Sequence, residues 1–176
     1  MTYPSIPTGE IRDSRPWPGD VFNPYKFRVY LASAQNITSQ GTPQTVVNVA
    51  MDATTQTFDT SMGWDSTNHR YVVPVTGYWF IAGNVSYAPA GAMTWFVGNG
   101  ELLVNGVTHA ADNVVNGNVT AVLLGTSYNA LAYDTMYLAK GDLLTLTTTQ
   151  QNSAALAQPL NANSKSTYLS GHLISR

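Results

Sequence analysis

The side chains best suited to chemistry are three histidines and a few acidic residues, and they are widely spaced along the chain. His109 and Asp112 stand three residues apart and could share a metal ion across a turn. A solvated loop pair has the same pattern, and structural zinc sites use about four ligands. No nucleophile elbow accompanies His69, His109 or His172, and no glycine-rich phosphate loop opens a helix. These residue types predict a protein that is not an enzyme and uses no cofactor or metal.

Aromatic side chains form a second group with the capacity to bind. Trp64, Trp95 and Tyr128 could stack on sugar rings as ligand contacts, and Trp79 and Tyr87 are of the same type. Aromatic residues also fill cores and subunit interfaces, where they bury large areas. The sequence therefore leaves two interpretations of these residues, ligand contact and packing.

Composition limits the function classes that remain. Hydrophobic residues make up 44% of the 176 residues and charged residues 10%, with a net charge of −2 and no cysteine, whereas ordinary soluble domains carry roughly 25% charged residues. So few charges favour a surface that is partly buried against other copies, although a surface rich in Thr, Asn and Ser would also be polar. The chain has no basic patch for nucleic acid and no run of about 18 apolar residues for a membrane. Its polar, proline-broken start predicts folding in a cytoplasm.

The first 25 residues differ from the rest of the chain. They contain five prolines, which block helices and central strands, and a cluster of charges around Trp17. We predict an extended arm in which Arg12, Arg15 and Trp17 anchor the protein to a larger particle, because a lone tryptophan is often an interface anchor. A disordered tail is the alternative.

From residue 26 onward the pattern predicts β-structure. Short runs of Val, Thr, Tyr and Phe alternate with Gly, Asn, Asp and Pro. The predicted strands are Phe27–Ala32, Thr45–Met51, Thr55–Phe58, Arg70–Val75, Gly77–Tyr87, Met93–Val97, Glu101–Val107, Asn118–Ser127, Leu131–Leu138, Leu143–Gln150 and Ser166–Ser175. Breaks are predicted at Gly98-Asn99-Gly100, at the Asn105-Gly106 hairpin, at Lys140-Gly141-Asp142, and at the Pro74–Gly77 turn, in which Gly77 is free to take positive φ. Many short strands indicate a sandwich or a barrel.

Several segments resemble, in order, the globular heads of the C1q-like family, whose fold is similar to that of tumour necrosis factor. The segments are Phe27–Ala32, Phe58-Asp59, Trp64-Asp65, Tyr71–Phe80, Leu102–Gly106, Tyr137–Leu146 and Ser166–Ile174. The family's frequent cysteine and its collagen-like stalk are absent. The resemblance implies an all-β, ten-strand jelly-roll sandwich over residues 26–176 that forms a homotrimer, preceded by the arm at residues 1–25. It also suggests a calcium site at Asp59 and Asp65, for which capping of turns is the alternative.

The strand at residues 77–87 is apolar on both faces. Tyr78 and Phe80 alternate with Trp79 and Ile81, and a strand of this kind is buried on both sides. We predict that these four residues belong to the core or to a trimer interface. A strand covered by the chain's own loops is the alternative.

The C1q-like resemblance, the cytoplasmic start and the arm together favour a structural protein on a bacteriophage particle, either a tail or fibre component or a capsid decoration. Its partners would be two further copies, other capsid or tail proteins and, if the head meets the host, a surface glycan; nucleic acid and membrane are not expected. A carbohydrate- or ligand-binding module of a bacterial surface is the main alternative. A cytokine-like ligand is a third interpretation, which the absence of a signal peptide and of cysteine disfavours.

Overall fold

The computed structural model describes residues 25–39, 47–48, 58–116, 127–162 and 166–176. Of the predicted arm, only Tyr25 is among them, so Arg12, Arg15 and Trp17 lie outside the described residues. The same holds for nearly all of the strand predicted at residues 118–127 and for most of the one at 45–51. No helix long and apolar enough to cross a membrane occurs in the described part of the chain.

Fourteen β-strands occur in the described segments. In chain order they are β1 (Lys26–Tyr30), β2 (Asn36–Ile37), β3 (Val47–Asn48), β4 (Phe58–Asp59), β5 (Trp64–Asp65), β6 (Arg70–Val72), β7 (Gly77–Tyr87), β8 (Phe96–Val104), β9 (Val107–Asn116), β10 (Tyr128–Leu138), β11 (Leu143–Thr148), β12 (Gln150–Asn152), β13 (Gln158–Pro159) and β14 (Tyr168–Ser175).

Two large antiparallel sheets pack as a sandwich, and β13 and β2 form a separate two-stranded sheet. The first sheet has the order β10-β7-β14-β1-β4. The second contains β5, β6, β11, β8 and β9, with β12 also paired to β8 and β3 to β11. The two large sheets contain five and seven strands, so the predicted all-β sandwich is confirmed, while its strands outnumber the ten that were predicted.

The core lies between the two sheets and follows the alternation of each strand. Phe27 of β1 and Trp79 of β7 are almost wholly buried, and Tyr71 of β6 packs against both. The rings of Phe27 and Tyr71 stack with their centroids 3.7 Å apart. Burying side chains of this size contributes about 1.5–3 kcal/mol each, so this cluster is a main source of stability for the sandwich.

The break predicted at Gly98-Asn99-Gly100 is wrong, because β8 continues through it. A side chain at position 98 would meet the ring of Tyr87 in the first sheet. The side-chain oxygen of Asn99 accepts a hydrogen bond from the backbone N–H of Thr149, 2.6 Å away. These residues therefore mark a close approach within the sandwich and not a turn.

The hairpin predicted at Asn105-Gly106 is confirmed. Both residues have positive φ, 51° and 82°, and Val104 pairs with Val107 across the turn. Gly77 does not use its freedom to adopt a positive φ. A glycine is required there because a Cβ would collide with the backbone carbonyl of Ser175 on β14.

Candidate interaction face

The outward side of the first sheet carries a continuous group of rings. The strand register shows which side chains point away from the core. One outward row crosses all five strands and consists of Phe58, Arg28, Ser170, Ala82 and Tyr133. We call this surface the aromatic face; its members are Lys26, Arg28, Tyr30, Phe58, Tyr78, Phe80, Ala82, Leu131, Tyr133, Thr135, Tyr137, Tyr168, Ser170 and His172.

The rings of the aromatic face contact one another across strands. Tyr78 of β7 and Tyr137 of β10 meet edge to face with their centroids 5.3 Å apart. Phe80 contacts both Tyr133 and His172, at 6.5 Å and 5.5 Å between centroids. Aromatic contacts of this kind hold the rings in fixed positions, so the face is a preformed surface.

One end of the aromatic face is exposed. Tyr78, Tyr133 and Tyr137 keep 51%, 63% and 62% of their surface accessible to solvent. At the other end, Asn84 and Ser86 of β7 are buried, and Asn84 donates a hydrogen bond to the carbonyl of Ser166. The alternative that the chain's own loops cover the outer side of β7 therefore holds, among the described residues, for only half of that strand. An exposed apolar patch of this extent is typical of an interaction site.

A pocket of about 280 Å³ opens on the aromatic face between β1, β4, β7 and β14. Its walls include the basic side chains of Lys26, Arg28 and His172 together with the rings of Phe58 and Phe80. The guanidinium of Arg28 lies 4.5 Å from the ring centre of Tyr168. Such a pocket combines positive charge with apolar walls and is suited to a carboxylate or another anion.

The basic groups of this pocket have no acidic partner in the described part of the chain. The ion pair found there joins Arg70 to Asp65, on the other sheet, at 3.1 Å. The buried Nε of Arg28 has no hydrogen-bond partner. The pocket thus carries positive charge that the described chain does not neutralise.

Comparison with known proteins supports the architecture. No protein-family model matches the sequence, and no curated protein matches it. Among solved structures, Eiger TNF from S. frugiperda superimposes with a TM-score of 0.53 at 9% sequence identity, over 86% of this chain and 92% of that chain. The fold is a TNF-like jelly roll. The fold predicted from the C1q-like segments is therefore confirmed, and at this identity the likeness extends to the fold alone.

The four residues predicted for core or interface divide between the two sides of the jelly roll. Trp79 and Ile81 are fully buried in the core. Tyr78 and Phe80 lie on the aromatic face, Tyr78 half exposed and Phe80 partly buried. The other face residues were not predicted, although β10 has the same signal, since Leu131, Tyr133 and Tyr137 alternate with buried apolar residues.

The three predicted ligand contacts do not lie together. Tyr128 pairs with Tyr87 at the end of β7, and its ring lies 6.0 Å from that of Phe96, next to the exposed Trp95. Trp64 of β5 pairs with Tyr71 of β6 and packs against the core. The ring of Tyr71 contacts Trp79, near the beginning of β7. Trp95 and Tyr128 share one end of the jelly roll, and Trp64 lies at the opposite end.

The two aspartates suggested as calcium ligands cap turns. The carboxylate of Asp59 accepts hydrogen bonds from Ser61 and from the backbone N–H of Trp64, the latter at 2.7 Å. Asp65 accepts two from Asn68, and the side-chain amide of that residue is the main cause that lowers the pKa of Asp65. Among the described residues, no group of three His, Cys, Asp or Glu side chains could hold a metal ion.

His109 and Asp112 both lie within β9, so neither a metal site across a turn nor a solvated loop pair describes them. His109 is the extra residue of a bulge, since Thr108 pairs with Leu103 while Ala110 pairs with Leu102. Residues three apart along a strand are separated by about 10 Å, so His109 and Asp112 are too far apart to bind one metal ion in the way that a turn would allow. The three histidines also lie in separate elements: a turn before β6, β9 and β14.

Proposed function

We propose that this chain is a non-enzymatic structural protein that forms a homotrimer on the surface of a bacteriophage particle, as a tail or fibre component or as a capsid decoration. The observation that carries the proposal is the aromatic face, whose exposed tyrosines would be covered when identical copies meet around a three-fold axis. Aromatic residues of this kind are enriched at the centres of protein interfaces.

The dimensions of the face limit how much of a subunit contact it can supply. Its longest strands, β7 and β10, have 11 residues each, which corresponds to about 36 Å in length. Five strands at about 4.8 Å spacing add a width of about 20 Å. The resulting upper limit is roughly 700 Å², and its exposed half is about 350 Å², below the approximately 800 Å² that each partner contributes to a standard interface, so surface outside the aromatic face must also contribute.

The arm at residues 1–25 supports placement on a particle. Its prolines favour an extended chain, and Arg12, Arg15 and Trp17 provide charge and a large apolar anchor. In this proposal the arm of each subunit attaches to capsid or tail proteins in the host cytoplasm. The jelly-roll head then faces outward, where it reinforces the shell or contacts a host surface glycan.

Mass spectrometry of purified particles tests the virion assignment, and particles that lack the protein would contradict it. A variant with Arg12, Arg15 and Trp17 replaced by alanine should remain trimeric but fail to incorporate. Removal of residues 1–24 should act in the same way. Tyr25 is kept in that deletion because its carbonyl accepts a hydrogen bond from Leu173.

A carbohydrate- or ligand-binding module of a bacterial surface is the second candidate function. The observation that favours it is Trp95, which exposes 38% of its surface at the end of the jelly roll that also carries Tyr128. This function predicts saturable binding to a glycan array that Trp95→Ala abolishes and that removal of the arm leaves intact.

A further inference from the structure

We propose that the basic pocket of the aromatic face receives the carboxylate of Asp134 from a neighbouring copy; this inference rests on the trimer of the proposed function. The contact would pair Asp134 on the edge strand of one subunit with Lys26, Arg28 and His172 on the face of the next.

We choose Asp134 as the partner of the pocket because it is the acidic residue whose carboxylate makes the fewest hydrogen bonds among those described. Four of the five acidic side chains that the structure describes use both carboxylate oxygens for hydrogen bonds within the chain: Asp59, Asp65, Glu101 and Asp142. Asp134 uses one oxygen, which accepts a hydrogen bond from the N–H of Thr135 at 2.7 Å. Its other oxygen has no hydrogen-bond partner among the described residues.

The position of Asp134 also suits an intermolecular contact. It lies on β10, the edge strand of the first sheet, opposite Ile81 of β7. Its neighbours on the same side of β10, Ala132 and Met136, are buried, so a half-buried charge interrupts an apolar row. A charge on an edge strand discourages unwanted strand pairing. The same charge can also form an ion pair with a basic group of a neighbouring copy.

Asp134 lies far from Lys26 and Arg28 of its own chain, and it is on the core side of the sheet, opposite the aromatic face. β10 and β1 are separated by β7 and β14, so they lie about 14 Å apart across the sheet. In a cyclic trimer, however, each contact joins two different patches, one from each neighbour. A face-to-edge contact brings the edge of one copy onto the face of the next, and three such contacts close the ring with each pocket filled once.

Arg28 matches a carboxylate in shape as well as in charge. Its guanidinium lies 5.0 Å from the ring centre of Tyr30 and 4.5 Å from that of Tyr168, and its Nε lacks a hydrogen-bond partner. Cation–π contacts with the two rings hold the guanidinium in place, and a guanidinium can bind both oxygens of a carboxylate through its two terminal nitrogens. The pocket is therefore preorganised for an acidic side chain.

Sedimentation velocity on the full chain across a concentration series tests the pairing. Asp134→Asn should raise the concentration at half-dissociation at least about tenfold, because it removes one partner of a desolvated charge pair. Asp134→Lys should raise it further. The double variant Asp134→Lys with Arg28→Glu should recover most of the loss, since the reversed charges pair again. The matched control is Glu101→Gln, because Glu101 is an acidic residue on β8 of the second sheet, away from the aromatic face. This substitution should leave association unchanged.

The outcomes separate this inference from the proposed function. A wild-type protein that stays monomeric at micromolar concentration overturns both. A trimeric wild type whose association is unchanged by Asp134→Asn and Asp134→Lys overturns the pairing and leaves the trimer. Failure of the reversed pair to recover association would mean that Asp134 acts as an edge charge only. Lys26→Glu provides a second reversed pair if Arg28→Glu does not fold. Inorganic phosphate that raises the melting temperature of wild type and of Asp134→Asn equally would mean that the pocket binds small anions.

Discussion

Replacement of Tyr133 by serine should weaken self-association and leave the fold intact. The side chain lies near the middle of the edge strand β10, on the aromatic face, and exposes 63% of its surface. It contributes one ring contact, to Phe80 at 6.5 Å between centroids, and no core packing. A substitution there changes the outer surface of the sheet and not the interior.

The expected magnitude follows from the area that the trimer would cover. On a full tyrosine area of about 200 Å², the exposed 63% corresponds to roughly 125 Å². At 25 cal/mol/Å² its burial contributes about 3 kcal/mol at each subunit contact. Serine retains little of this area, so the dissociation constant of each contact should rise roughly a hundredfold. The free energy of unfolding of the isolated subunit should change by less than about 0.5 kcal/mol.

Sedimentation velocity and light scattering over a concentration series measure the effect. Val107→Ser is the matched control, because Val107 is 64% exposed but lies on β9 of the second sheet. The wild type and the control should show three times the 19.0 kDa chain mass at concentrations where Tyr133→Ser has dissociated. Equal association of all three proteins, or a monomeric wild type, would refute the reasoning.

Three further substitutions test the fold and its polar contacts. Gly77→Ala should lower the free energy of unfolding by about 1–3 kcal/mol in a denaturant titration, because the new Cβ collides with the Ser175 carbonyl. Asp59→Ala should cost about 1–3 kcal/mol, since it leaves the N–H of Trp64 without its acceptor; unchanged stability would exclude the capping role. Burial raises the pKa of Tyr87 above its ordinary value of 10.0, so the folded state keeps the proton that the unfolded chain loses, and stability falls as pH rises above that value. In thermal melts between pH 9 and 11.5, Tyr87→Phe should make this fall shallower, by up to about 1.4 kcal/mol per pH unit, and an equally steep fall would contradict the buried phenol.

Local patterns determined how much of the fold could be predicted. The bounds of β7 were predicted correctly because an apolar run lies between a proline-containing turn and a proline-containing loop. β9 was missed because its sequence, with Ala110, Ala111 and Asp112, has low intrinsic strand preference. Pairing with β8 supplies the missing stabilisation. Sequence alone could not reveal the basic pocket, because Lys26 and His172 are 146 residues apart in the chain and meet only through the register of β1 with β14.

The choice of tyrosine on the aromatic face is consistent with a surface that is exposed first and covered later. Five of its rings are tyrosines: Tyr30, Tyr78, Tyr133, Tyr137 and Tyr168. A tyrosine offers a large apolar body for burial and a hydroxyl that water can bind while the subunit is alone. The same positions filled by phenylalanine or leucine would expose an apolar sheet during synthesis and promote non-specific aggregation. The core side of β7 instead carries the wholly apolar or buried side chains Trp79, Ile81 and Val85. Only the outer side therefore has side chains that also interact well with water. This difference is expected for a subunit that folds before it assembles.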